Sequence, residues 1–286
     1  MAEPYNFSIV DHYRVFPRPR WGYDLPPHPQ IHAALNRDRA TYAATLNDIA
    51  AARAVLHAIP HDADPNNSLT PFWNNPWFTA LDAAALVGLL LARKPPRFLE
   101  IGSGNSTMFA AHAIRAGLLN TKILSIDPAP RADIDTLCDA RIRGALEMCA
   151  IDIFDELQPG DICFFDGSHR VFQNSDATVF LLDVLPRLKP GILVHIHDIC
   201  LPWDYPNNWL NRVYSEQYLL AAMLLGADPP FRVVMPNHFV STDPELSARV
   251  KQIFTSPLGG RDIPFLNQEE QNFSNSFWIE TTGVKV

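Results

Sequence analysis

The sequence predicts an α/β fold built on a doubly wound, largely parallel sheet of seven strands. Three observations point there. From Pro76 onward, short apolar runs alternate with stretches of helical periodicity, the pattern of strands joined by crossover helices. Several runs are apolar at consecutive positions, as in strands buried on both faces. The run Phe98-Leu99-Glu100-Ile101 enters a glycine turn, Gly102-Ser103-Gly104, and a helical pattern follows from Ser106. That strand–turn–helix unit leaves bare backbone N–H groups facing a ligand.

In chain order, residues 1–74 read as an N-terminal arm with cap helices, ahead of a domain over 75–286. The arm is rich in Pro, His and aromatics, and a helical stretch of about Ile31–Ile59 carries Leu35, Tyr42, Leu46, Ile49 and Leu56. A polar loop, His61–Leu69, follows. The arm is expected to be a lid over a substrate site, packing decoration or a dimer arm. Beyond it the pattern gives a helix at Phe78–Ala92, a strand at Arg97–Ile101, a helix at Thr107–Ala116 and a strand at Lys122–Ile126. A helix near Asp133–Cys138 and a third strand near Ala145–Ala150 come next. Strand Asp161–Phe165, helix Ser175–Leu188 and strand Gly191–His197 continue the alternation. Helix Ser215–Leu225, strand Phe231–Met235, helix Pro244–Phe254 and strand Ser276–Thr281 complete it.

The 286 residues carry 23 basic and 31 acidic side chains, a net charge of −8. That balance argues against a nucleic-acid partner, which needs a basic face for phosphates. The N-terminus lacks the basic and apolar regions of a signal peptide. The apolar run Leu81–Ala92 is too short to cross a bilayer and reads as a buried helix. Cys138, Cys149, Cys163 and Cys200 form no C-x-x-C pair. They read as apolar fillers in a reducing, cytoplasmic protein with no membrane partner.

The glycine loop departs from the dinucleotide fingerprint, since Thr107 stands where a third glycine belongs. Asp127 ends the second strand, where a carboxylate can accept both hydroxyls of a ribose. Asp152 is expected at the end of the third strand. The fourth strand runs into Asp166-Gly167-Ser168-His169, and the fifth ends His195-Ile196-His197-Asp198. Alternation puts His195 and His197 on one face, with His195 read as a core histidine. Asp166, His169, His197 and Asp198 are expected to converge on one cleft at the carboxyl edge of the sheet. Two chemistries suit them. A neutral His169 or His197 can act as general base, with Asp166 beside it. The four together are also a candidate site for a divalent transition metal.

These pieces in order resemble the class I S-adenosylmethionine-dependent methyltransferases, of the branch called methyltransferase family 24. The carrying residues are Glu100-Ile-Gly-Ser-Gly-Asn-Ser-Thr107, Ile126-Asp127, Asp166-Gly-Ser-His169, Leu188-Lys-Pro-Gly191, His197-Asp-Ile199 with Pro202-x-Asp204-Tyr-Pro206, and Glu216-Gln217-Tyr218. The resemblance spans about residues 72–240 and implies a Rossmann-like sheet whose last strand is antiparallel. It implies that Glu100, Gly102, Ser103, Gly104, Asn105, Ser106, Asp127, Asp152, Asp166 and Gly167 serve S-adenosylmethionine. Related catechol-type enzymes place magnesium ligands at the ends of strands four and five. The matching Asp166 and His197-Asp198 put a histidine where those enzymes have aspartate, which favours a transition metal or none over magnesium.

The expected activity is methyl transfer to a small molecule, most readily at oxygen. A metal-dependent hydroxylase on the same fold and a non-catalytic cofactor-binding subunit are the alternatives.

Overall fold

The computed structural model describes residues 16–78, 80–130, 132–257, 259–265 and 274–283. Seven strands form one sheet: β1 (Arg97–Ile101), β2 (Lys122–Ile126), β3 (Ala140–Ile142), β4 (Ile162–Phe165), β5 (Leu193–Ile196), β6 (Phe231–Pro236) and β7 (Phe277–Thr281). Their order is β3-β2-β1-β4-β5-β7-β6. Strands β1 to β5 pair in parallel, and β7 runs antiparallel to both β5 and β6. The seven strands and the antiparallel last one are as the sequence predicts.

The centre of the sheet is buried on both faces, which explains its consecutive apolar runs. Phe164 and Phe165 are neighbours on β4 and face opposite ways. Phe164 packs against Phe78 and Trp278, whereas Phe165 stacks on Phe180 at 4.2 Å. Between β1 and β4 the connections depart in opposite directions. That switch point opens a crevice at the carboxyl ends of the strands.

Nine α-helices lie among the described residues. The expected helix over 31–59 is three: α1 (Pro29–Asn36), α2 (Arg39–Ala51) and α3 (Arg53–His57). It breaks at Arg37-Asp38, where backbone N–H groups fold back on Ala34 and Leu35, and again at Ala52. These helices are part of the main core. Leu35, Tyr42, Leu46, Ile49 and Leu56 are fully buried with the sheet residues. Helix α4 (Ala80–Arg93) lies so close to α2 that a Cβ on Gly88 would sit 2.8 Å from the Ile49 Cα. One core thus runs across the expected boundary at residue 74.

Helix α5 (Asn105–Ala116) follows the glycine turn. Helix α6 (Asp176–Val179) continues as a π-helical turn over Phe180–Val184 and a tight 3-10 turn over Leu185–Arg187. Pro186 has no N–H to extend a regular ladder there. Helices α7 (Glu216–Leu224), α8 (Asn237–Thr242) and α9 (Pro244–Phe254) complete the set.

Two further expectations are corrected. Strand β3 lies at Ala140–Ile142, five residues before the predicted start, because residues 146–148 form a tight turn instead. As an edge strand with an exposed Ala140 and Arg141, β3 lacks the apolar signature. The helix near Asp133–Cys138 shrinks to one turn, Asp135–Leu137. Among the described residues no helix is long and apolar enough to cross a membrane.

Candidate active site

The glycine loop closes over the end of β1 and is held from below. Glu100, fully buried on β1, accepts the Ser106 hydroxyl at 2.5 Å and the Thr107 hydroxyl. Thr107 Oγ1 in turn accepts the Gly104 N–H at 3.0 Å. The residue replacing a third glycine is therefore a latch at the start of α5. Burial pushes the Glu100 carboxyl up to about 7, against the pull of the Ser106 and Thr107 hydroxyls. Glu100 supports the loop from beneath and lines neither of the site's two clefts.

A cleft of about 390 Å³ opens above the strand ends. Gly102 and Ser103 line it after β1, Asp127 after β2, and Asp166 and Gly167 after β4. Asp127 is 8 % exposed, and both its oxygens already hold backbone: Oδ2 accepts the Ser103 N–H and Oδ1 the Ala129 N–H, each at 2.7 Å. A carboxylate keeps further lone pairs on both oxygens, so Asp127 can latch the loop and still accept a ligand hydroxyl. Asp152 lies outside the cleft. It is exposed on a 3-10 turn, Ile151–Glu156, and the third wall of the cleft is Ala145, Leu146 and Glu147.

A second cleft of about 260 Å³ adjoins the first. Gly104, Asn105 and Ser106 form its floor at the α5 N-terminus, and Phe72, Trp77 and Phe78 wall it. Ser103 and Asp166 line both clefts. A Cβ on Gly104 would meet nothing within 4 Å, so at that position the backbone is kept bare beside open space. An elongated ligand with an acidic end fits this pair of clefts, with its anion at the helix N-terminus and a ribose at Asp127. The residues fit S-adenosylmethionine.

Asp166 lines both clefts, while His169, His197 and Asp198 are packed behind it and line neither; His169 meets Asp166 and Asp198, and His197 meets Asp198. The His169 Nε2 lies 3.2 Å from Asp166 Oδ1 and 3.5 Å from Asp198 Oδ2. Its Nδ1 bonds Glu216 Oε1 at 2.5 Å. His169 and Asp198 both hold left-handed backbone, with φ of 62° and 54°, in the small region that histidine and aspartate tolerate better than most residues. Burial disfavours charge on His169, but Glu216, Asp166 and Asp198 outweigh it and hold the imidazole protonated well above its ordinary range. Burial likewise opposes the Asp166 carboxylate, yet the facing charges of His197 and His169 keep it below the usual range.

This arrangement bears on both chemistries. A protonated His169 has no lone pair to take a proton, and its ring lies between the Asp166 and Asp198 carboxylates that would share an ion. Among the described residues no three His, Cys, Asp or Glu side chains are arranged to hold a metal ion. The candidate metal set Asp166, His169, His197 and Asp198 does not fit a metal as it stands. His197 is also buried, with its ring 5.4 Å from Phe78 and its Nε2 3.6 Å from Asp198. His195 is the core histidine expected: it stacks on Phe164 at 3.7 Å and bonds Ser276 Oγ at 2.7 Å.

Residues 99–199 match a family model described as a methyltransferase domain. No curated protein matches the chain. Among solved structures, an O-methyltransferase from Bacillus cereus in complex with SAH aligns at 14% identity over 84% of this chain and 91% of its own, with a TM-score of 0.38. A putative O-methyltransferase from Klebsiella pneumoniae aligns at 15% identity over 90% and 99%, with a TM-score of 0.40. A putative methyltransferase from Thermobifida fusca aligns at 14% identity over 74% and 85%, with a TM-score of 0.41. The matched segment holds the glycine loop, Asp127, Asp166 and His197-Asp198 at the strand ends of the sheet, and it marks residues 99–199 as similar to a methyltransferase domain.

Proposed function

We propose that this methyltransferase acts on a small molecule and methylates it at oxygen. The observation that carries the reading is the meeting of two clefts at Asp166. One cleft is built on strand ends; the other is small, with the α5 N-terminus as the floor for the cofactor's amino-acid end and Phe72, Trp77 and Phe78 walling the space above it, which suits a compact acceptor rather than a polymer. S-adenosylmethionine supplies the electrophilic methyl group when bound. The backbone from Gly102 to Asn105 would hold its amino-acid end, and Asp127 its ribose.

Asp166, kept ionised by His169 and His197, accepts a hydrogen bond from an acceptor hydroxyl and so turns the oxygen lone pair toward the donor. Held below the usual range, the carboxylate is a weak base, so it orients the hydroxyl and takes the proton only from the positively charged, strongly acidic oxygen left after methyl transfer, in place of the neutral histidine the sequence suggested. Positioning supplies most of the rate, since fixing two reactants in an aligned geometry is worth about 7–11 kcal/mol. Four free cysteines and the acidic surface fit a cytoplasmic enzyme.

The test is incubation of purified protein with methyl-labelled S-adenosylmethionine and a panel of small hydroxylated and amine compounds. Labelled ethers, found by mass spectrometry, are the expected products. Label passing only to amines, or only to macromolecules, overturns the reading.

A further inference from the structure

The motif Glu216-Gln217-Tyr218 has no part in the chemistry above, yet it opens α7 directly beneath the His169 cluster. We propose that Glu216 is a positioning residue: it fixes the His169 ring so that Nε2 holds the Asp166 carboxylate at the junction of the two clefts. This rests on the reading of Asp166 as the group facing both clefts.

Five observations carry it. Glu216 is fully buried, and its Oε1 takes the Nδ1 side of His169 at 2.5 Å, leaving Nε2 to face Asp166 and Asp198. The ring has no freedom to turn away, because Tyr214 lies against it with centroids 4.4 Å apart. The backbone is gripped at the same place: the His169 carbonyl accepts the Ser215 N–H at 2.8 Å and the Glu216 N–H at 3.3 Å, and Ser215 Oγ accepts the Val171 N–H. Gln217 does the corresponding work on the β5 side, accepting the Cys200 N–H at 2.9 Å and donating to the Trp203 carbonyl. The first turn of α7 thus ties together the loops that follow β4 and β5, the two that bring Asp166 and Asp198 into one site. The second Glu216 oxygen, Oε2, is buried with no hydrogen-bond partner among the described residues. A residue present only to anchor the loop would be better served by a neutral side chain without that cost.

The experiment compares the full-length protein with its Glu216→Gln, Glu216→Ala and Ser215→Ala variants. Nitrogen-15 NMR of labelled histidine reads the His169 Nδ1–H, and calorimetry reads affinity for S-adenosylmethionine; melting temperature reports the fold. The wild type is expected to show a strongly downfield Nδ1–H proton. Glu216→Ala should lose that signal and weaken S-adenosylmethionine binding at least tenfold. Glu216→Gln should keep a weaker signal and recover most of the affinity. Ser215→Ala, which loosens the backbone grip alone, should leave both nearly unchanged. An unaltered Nδ1–H signal in Glu216→Ala overturns the proposal. So does a loss of affinity that tracks melting temperature equally in all three variants, which makes Glu216 a loop anchor only. If the wild type itself fails to bind S-adenosylmethionine, the reading of the clefts fails while the NMR outcome still decides the Glu216–His169 contact.

Discussion

A Cβ added to Gly102 would lie 1.8 Å from the carbonyl oxygen of Asp166. The turn after β1 therefore sits directly on the turn after β4, and φ of +77° at Gly102 brings it there. Gly102→Ala should destabilise the protein: the left-handed backbone alone costs an alanine roughly 1–2 kcal/mol, and the clash with backbone adds to it. Chemical denaturation would register the loss. Wild-type stability would mean that the two turns can separate.

Gly104 is the contrasting case. Its Cβ direction is open, so a side chain there meets no neighbour. Gly104→Val should still melt cooperatively. Its affinity for adenosylhomocysteine should fall more than tenfold, because a branched side chain would fill the floor of the second cleft. Unchanged affinity by calorimetry would assign that floor to something other than the cofactor.

Asp127→Ala should show two losses at once. Removing the carboxylate frees the Ser103 and Ala129 N–H groups, at about 1.5–3 kcal/mol for each bond to a charged group. It also removes the acceptor proposed for the ribose. Stability and adenosylhomocysteine affinity should therefore both drop, whereas a loop latch with no ligand role would lose stability alone.

Glu100 gives the protein a signed pH dependence. Its carboxyl is raised from 4.5 to about 7 in the folded state. The folded protein therefore holds this proton where the unfolded chain releases it. The contribution is fully present below pH 4.5 and lost as pH rises through 7, a change of roughly 3 kcal/mol at 1.36 kcal/mol per pH unit. Glu100→Gln removes it. The stability of the wild type relative to Glu100→Gln should fall steadily between pH 4.5 and 7 in denaturation series, and a flat difference would place the Glu100 carboxyl in its ordinary range.

Deleting residues through His57 should prevent folding of the remainder. The deletion removes Leu35, Tyr42, Leu46, Ile49 and Leu56 from the core and bares the face of α4 against which α2 packs. Circular dichroism and melting of the truncated chain would check this. A cooperative melt would show that the arm is separable after all.

The sequence made β1, β2, β4 and β5 legible because strands buried on both faces are mostly apolar, and the runs of β2 and β4 end in an aspartate that faces the crevice. Asp127 and Asp166 were found that way. The edge strand β3 left no such trace, so its position slipped and Asp152 with it. Helix breaks at Arg37-Asp38 and Ala52 were hidden because the apolar spacing continues through them. The place of His169 in one cluster followed from its spacing after β4. Its state did not, because that depends on Glu216, 47 residues later. A carboxylate opening a helix reads as a favourable charge near the dipole, and nothing local marks it as fully buried.

Strand β7 fills the gap between β5 and β6, which sets the order in which the protein can be completed during synthesis. When β6 leaves the ribosome its only neighbour in the sheet has not yet been made. The strand edges of β5 and β6 stay open until residues 277–281 emerge, and only then does the last rung close across them. Until that moment the nascent chain carries two unpaired edges that invite association with other chains, so this protein is most exposed to misassembly in the interval before its final strand appears.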